Sequence, residues 1–238
     1  VAVLAQPDWH DAEAFRAMGR PRLGVFIGAG NLDSMVAHYT AAKRRRSEDF
    51  YSPGKRSGCR PDRAAIVYCN RAREAFGPDM PIILGSLEAS LRRFAHYDYW
   101  DDSVRRAILF DAPADLLVYG MGEAATIEIA HRLKKKQSVR TMTDIPGTGY
   151  ITRDPSVCKF DHITLPSFED VRDDKRLYAE ATRTEYAEHD PIRGRAMIQP
   201  CEGRYLIINP PAMPLDTKEL DRVAELPYTC LLYTSPSP

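Results

Sequence analysis

The sequence predicts an α/β protein: a parallel sheet with helices on both faces over residues 1–138, then a smaller α+β linking module over residues 139–229. Three observations carry this expectation. Short continuous apolar runs alternate with stretches of helical periodicity, as expected for strands buried on both faces. Three of those runs end at glycine and pass into a polar residue that opens a helix: FIGAGN, IILGSLE and LVYGMGE. After the lysine run at 134–136, the pattern changes to isolated strand-like pieces around one long helix.

Val1–Ala5 reads as a strand that stops at Gln6-Pro7-Asp8, and a short helix carries Ala12, Phe15 and Met18. Because the chain opens without Met inside this run, strands preceding Val1 are expected. Leu23–Ile27 is the next strand. Asn31 is expected to cap a helix whose apolar face is Leu32, Met35, Val36 and Tyr39. Lys43–Asp62, polar and rich in Arg, Pro and Gly, reads as an excursion from the sheet. Asp62 is expected to cap a helix bearing Ile66, Cys69, Ala72 and Phe76. Met80–Leu84 and Asp115–Tyr119 are the remaining parallel strands, and the helix after the latter closes in lysines that suit its negative end. Residues 1–138 thus read as a Rossmann-like layer domain. Beyond it, strands are expected at His162–Leu165, Ala196–Gln199 and Tyr205–Ile208. One helix is expected from Ser167 to about His189, and a last one opens at the capping box Asp216-Thr-Lys-Glu219.

The chain has 238 residues with 33 basic and 33 acidic side chains, so no net charge draws it toward nucleic acid or an anionic membrane. No apolar run reaches the roughly 18 residues that span a bilayer. The five widely spaced cysteines contain no C-x-x-C pair, which argues against a disulfide framework and fits a reducing, cytoplasmic setting.

In an open parallel sheet, ligands bind beyond the carboxyl ends of the strands. Gly28, Gly30, Asn31, Gly85, Glu88, Gly120, Gly122 and Glu123 are therefore the first ligand-pocket candidates. The dense run LEASLRRFAHYDYWDD adds Arg92, Arg93, His96, Tyr97 and Asp98. Glu88 and Arg92 are spaced to pair on a helix, and His96 among aromatics and acids suits proton movement or ligand contact. Gly120-x-Gly122-x-x-Ala125 fits a relaxed dinucleotide fingerprint, but Glu123 puts a carboxylate where pyrophosphate needs bare N–H groups. The basic run Arg44, Arg45, Arg46, Lys55, Arg56, Arg60 and Arg63 carries phosphate-binding chemistry, weakened by Glu48, Asp49 and Asp62. No residue is assigned a catalytic or metal-ligating role.

The string LGSLEASLRRFAHYDYWDDSVRRAILFDAPADLLVYGMGE resembles the amino-terminal region of YgiQ-type radical SAM proteins. AQPDW, GAGNLDSMVAHYT, RPDRAAIVY, LPSFEDV, INPPAMPL and ELPYT resemble the same family in the same order. The resemblance implies a cobalamin-binding-type Rossmann-like domain preceding a partial β/α barrel core. In that core a C-x-x-x-C-x-x-C motif holds a [4Fe–4S] cluster that binds and cleaves S-adenosylmethionine. That motif and the cobalamin signature D-x-H-x-x-G are both absent here, so no cofactor is assigned to this chain itself. Cluster and S-adenosylmethionine are implied for the intact protein.

The leading expectation is a substrate-positioning N-terminal segment whose partner is its own radical SAM core, with no membrane or nucleic acid partner. Two alternatives stand beside it: an RNA- or protein-binding module using the basic loop 43–63, and a dinucleotide-binding enzyme. The resemblance breaks at Cys230. CLLYTSPSP matches what a transposon-type sequencing adapter encodes, so residues 230–238 are expected to be a non-native tail.

Overall fold

The computed structural model describes residues 1–227, so the expected tail at 230–238 lies outside the described residues. The chain lays down β1 (Val25–Gly28), α1 (Ser34–His38), α2 (Ala64–Phe76), β2 (Ile82–Gly85) and α3 (Ser86–Leu91). A small hairpin of β3 (His96–Asp98) and β4 (Ser103–Arg105) precedes α4 (Ile108–Asp111), β5 (Leu116–Val118) and α5 (Glu123–Lys134). Then follow β6 (Thr148–Thr152), β7 (His162–Thr164), α6 (Phe168–Asp173), α7 (Lys175–Ala187), β8 (Ala196–Cys201), β9 (Arg204–Ile208) and α8 (Thr217–Ala224).

Seven strands form one sheet in the order β1-β2-β5-β6-β9-β8-β7. The first three are parallel, with Val25 opposite Ile82 and Leu84 opposite Leu117. From β5 onward the pairs β5–β6, β6–β9 and β9–β8 are antiparallel, and β7 joins β8 in parallel. The sheet is continuous through residue 138, and its change from parallel to antiparallel pairing falls there.

Alternation along β2 and β5 divides the core. Ile82, Leu84 and Leu117 face a layer holding α2, α4 and the 3-10 turn at Ala12–Arg16. Ile83, Leu116 and Val118 face α5 through Ala125, Ile129 and Leu133. Helices therefore cover both faces, as the continuous apolar runs predict. At the junction of the two halves, an added Cβ on Gly149 would lie 2.4 Å from Ile208 Cδ1. That glycine lets β6 and β9 close tightly over the core.

Several local expectations are corrected. Val1–Ala5 forms no strand, because nothing pairs with it and Val1 and Val3 lie in solvent. Asn31 caps nothing; Asp33 caps α1, its carboxylate accepting from Met35 and Val36 N–H. The buried side of α1 is Ser34, Ala37 and His38, and Val36 is exposed, so the expected apolar stripe is not the packed face. Asp62 does not cap α2: the residue before the helix is Arg63 in the left-handed region, and the Asp62 carboxylate is engaged elsewhere. The long helix from Ser167 to His189 is two, because Asp174 turns to extended backbone and its side chain accepts from Arg176 N–H to start α7. The expected capping box forms at Asp216/Glu219, and another forms at Ser167/Asp170.

Gly149→Ala should destabilise the chain by about 1–3 kcal/mol through overpacking against Ile208. The shift in urea midpoint at unchanged slope measures it, and a midpoint within error of wild type contradicts this packing.

Candidate functional site at the strand ends

Because β1, β2 and β5 are adjacent and parallel, their carboxyl ends lie side by side, with Gly28 opposite Gly85. Gly28, Gly30, Asn31, Gly120 and Glu123 are exposed there, with Ser86, Leu87 and Met121 among them. Gly85 and Gly122 are half-buried. Ser86 opens α3 at φ 70°, a left-handed conformation that L residues adopt at some energetic cost. Its Oγ accepts from Ala29 N–H at 3.1 Å, and a Cβ on Gly28 would meet Ser86 at 3.1 Å. Glycine at 28 therefore lets the ends of β1 and β2 pass closely. Gly122 serves α5 in the same way, since an added Cβ would sit 2.7 Å from Val118.

The charged candidates of the 88–98 run are engaged internally. Glu88 is fully buried, and its two carboxylate oxygens accept from Ser34 N–H and Ala65 N–H, each at 3.0 Å. One carboxylate thus serves the first turns of both α1 and α2, where the helix dipoles favour negative charge. Ser34 completes the joint by accepting Ala64 N–H through Oγ at 3.0 Å. The expected Glu88–Arg92 ion pair does not form, because Glu88 is occupied by amides. Arg92 turns instead to Asp33, the residue that caps α1.

Arg93 stacks its guanidinium on the rings of Phe94 and Tyr119 and donates to Ser90 O at 2.7 Å. His96 donates through Nδ1 to Phe94 O at 3.0 Å, and burial pulls its pKa below the usual value. The space bounded by Arg63, Arg92, His96 and Asp98 is too small for a water molecule. His96 itself is half-buried. Tyr97 is exposed and donates to Asp102. Asp98 accepts from Arg63 at 2.9 Å; burial acts to raise its carboxyl, and the Arg63 bonds override that and hold it low.

Arg63 belongs to the Lys43–Asp62 excursion and its end, and this segment is fastened back onto the strand ends. Arg60 is buried, clamps Asp49 through Nε and Nη2, and donates to Ala29 O just past β1. Asp62 accepts from Tyr39 Oη at 2.6 Å and pairs with His38 Nδ1 at 2.7 Å. Burial acts to raise Asp49 and Asp62, and their hydrogen bonds hold both low.

Sequence reasoning missed Asp33, His38, Asp49 and Asp62 as partners at this edge. It also missed Glu185, whose carboxyl burial pushes up to about 7 close to Arg93. Asp33 was legible as a cap two residues past Asn31; the others depend on contacts across 10 or more residues.

Cys69 and Cys201 have surroundings that keep a thiol protonated, and no companion ligands among the described residues. Among the described residues no three His, Cys, Asp or Glu side chains gather as a metal site, and burial pushes the Cys69 and Cys201 thiols up to about 12. Thiols held protonated in this way are poor metal ligands.

Fold and edge together define a Rossmann-like α/β domain with a glycine-lined shelf at its strand ends. The sequence model of the Radical SAM N-terminal family matches residues 1–235, and the chain belongs to that family. A UPF0313 protein of Clostridium botulinum (strain 657 / Type Ba4) is 52% identical over 228 residues, covering 96% of this chain and 35% of the relative. A UPF0313 protein of Clostridium perfringens (strain SM101 / Type A) is 52% identical over 96% of this chain and 34% of its own length. The chain spans about a third of the length of these curated relatives. The resemblance to YgiQ-type radical SAM proteins read from the long strings therefore holds. No solved structure matches the chain. Among the described residues no helix is long and apolar enough to cross a membrane.

Two outcomes follow from this geometry. Glu88→Ala leaves the Ser34 and Ala65 amides buried without acceptors and should cost about 2–4 kcal/mol in urea unfolding; a loss under about 0.5 kcal/mol contradicts the clamp. Asp49, Asp62 and Asp98 have folded-state pKa values below their unfolded value of about 3.9. Their contribution is present above that value and lost as pH falls through the folded pKa. Proteolytic cleavage within 43–63 should stay slow at about pH 6 and accelerate below about pH 4, and pH-independent cleavage speaks against these anchors.

Proposed function

We propose that this chain is the N-terminal accessory segment of a radical SAM enzyme and that its strand-end shelf positions substrate for a catalytic core. The observation that carries the reading is the match to the Radical SAM N-terminal family over residues 1–235. The length of the relatives supports it, since the chain accounts for only 35% of the botulinum protein. A [4Fe–4S] cluster held elsewhere in the intact protein would supply the reductive cleavage of S-adenosylmethionine. The residues described here take no part in ligating it.

Within this segment the groups free to meet a substrate are the exposed ones: Gly28, Gly30, Asn31, Gly120, Met121 and Glu123. Their backbone N–H groups and the start of α5 offer hydrogen bonds, and the glycines allow close approach. Glu88, Arg92 and Asp98 act as positioning residues, because each holds a loop or helix start that shapes the shelf. Sheet register keeps this edge rigid, which suits holding a substrate still against a reactive partner.

The full-length protein, reconstituted anaerobically with iron and sulfide, should show cluster absorption and release 5′-deoxyadenosine on reduction. Met121→Ala and Gly120→Asp should reduce substrate consumption while leaving 5′-deoxyadenosine release in the absence of substrate unchanged. Neither cluster nor 5′-deoxyadenosine sinks the enzymatic reading; unaltered substrate consumption in both variants sinks the positioning role.

A further inference from the structure

A cleft of about 570 Å³ lies between α1 and the segment 44–51. Leu32, Val36, Phe50 and Tyr51 supply its apolar lining, and Arg44, Arg45 and Arg46 stand along it. Phe50 and Tyr51 are 56% and 44% exposed, unusual for aromatic rings with a packed interior nearby. Lys55 lies over the Phe50 ring at 5.0 Å and Arg60 over Tyr51 at 5.9 Å.

The structure changes the charge balance of this region. Sequence reading discounts the basic run because Glu48, Asp49 and Asp62 are interspersed with it. Two of those three carboxylates are already engaged: Asp49 is buried against Arg60, and Asp62 holds His38 and Tyr39. The tie from Arg63 to Asp98 and Asp101 uses carboxylates outside the loop. Among the described residues, Arg44, Arg45, Arg46, Lys55 and Arg56 make no ion pair; Glu48 stands among them, and the Asp62 carboxylate lies near enough to Arg45 to act on it through its charge. Arg45 reaches its place over Gly58, where an added Cβ would come within 2.9 Å of Nη2. Arg46 is committed in part, donating through Nε to Val36 O and Tyr39 O at 3.2 Å. Arg44 and Arg45 line the cleft beside two exposed aromatic rings, each with a cation over one face.

We propose that this cleft binds a nucleoside phosphate, its phosphate on Arg44 and Arg45 and its base against Phe50, the more exposed of the two rings. Guanidinium groups fit phosphate oxygens in bidentate geometry. Base stacking on exposed aromatics is tolerant of base identity. The volume is that of a small-molecule site. A free nucleotide and a nucleotide within an RNA single strand present the same chemistry. The inference is independent of the radical SAM reading, since it uses neither the shelf nor the cluster.

The test titrates the 238-residue chain with AMP, with an oligouridylate 12-mer and with sodium phosphate, each at about 50 and 200 mM salt. Binding of AMP or the oligomer that weakens with salt is expected, with phosphate alone at least about tenfold weaker because it lacks the stacked base. AMP binding as tightly as the oligomer identifies a free nucleotide; oligomer binding alone identifies an RNA strand. The double variant Arg44→Ala, Arg45→Ala should weaken binding by about tenfold or more. Phe50→Ala, a truncation on the surface that leaves the core untouched, should weaken it by about tenfold. Failure of both AMP and oligomer to bind overturns the proposal. So does phosphate binding as tightly as AMP, or unchanged affinity in the folded Phe50→Ala protein.

Discussion

One buried carboxylate holds this edge of the molecule together. Glu88 stands at the first turn after β2, fully out of water, and receives an amide from the start of each of two helices. A carboxyl group in that position is tolerable only because two amide hydrogen bonds at helix starts replace its hydration. The helices it serves flank the long excursion from Lys43 to Asp62. Where they begin decides where that excursion can lie, and so decides what covers the strand ends. Asp33, Arg92, Ser34 and Ala64 form the next ring of contacts around the same joint.

The basic loop depends on that joint and reinforces it. Arg60 carries its charge into the interior only with Asp49 in bidentate contact, and it ties the loop to Ala29 at the end of β1. Arg63 ties the start of α2 to the β3–β4 hairpin through Asp98 and Asp101. Buried pairs of this kind add little net stability over apolar packing, but breaking one leaves a charge stranded. Their effect is to fix a polar segment in one arrangement. Asp49, one of the acids that dilute the basic run in sequence, is absorbed in doing so, and Arg44 and Arg45 are left without an ion pair.

The scaffold was legible because its signals are local. Continuous apolar burial in β2 and β5, glycine at three strand ends and the capping box at Asp216 each rest on residues close together in sequence, and all appear where expected. The starts of α1 and α2 were misplaced because two acceptable caps stood close together. Asn31 and Asp33 have similar intrinsic preference, and only the contact of Asp33 with Arg92 separates them. Asp62 has the composition of a cap, yet His38 and Tyr39 claim it. The site was legible as a line of glycines and not as a set of charges. Glu88 and Arg92 have helical pairing distance, but each finds a stronger partner more than 20 residues away in sequence, which spacing does not reveal.

Amide hydrogen exchange of Ser34 and Ala65, measured residue by residue in the native chain, tests this account most directly. If Glu88 clamps both helix starts, the two amides are strongly protected in the wild type, although each opens a helix where amides normally lack an acceptor. Both lose protection together in Glu88→Ala, while β6 and β9 amides such as those of Ile151 and Leu206 keep their order of protection. Rapid exchange at either amide in the wild type, or loss of protection at one alone in the variant, would contradict a single carboxylate holding both.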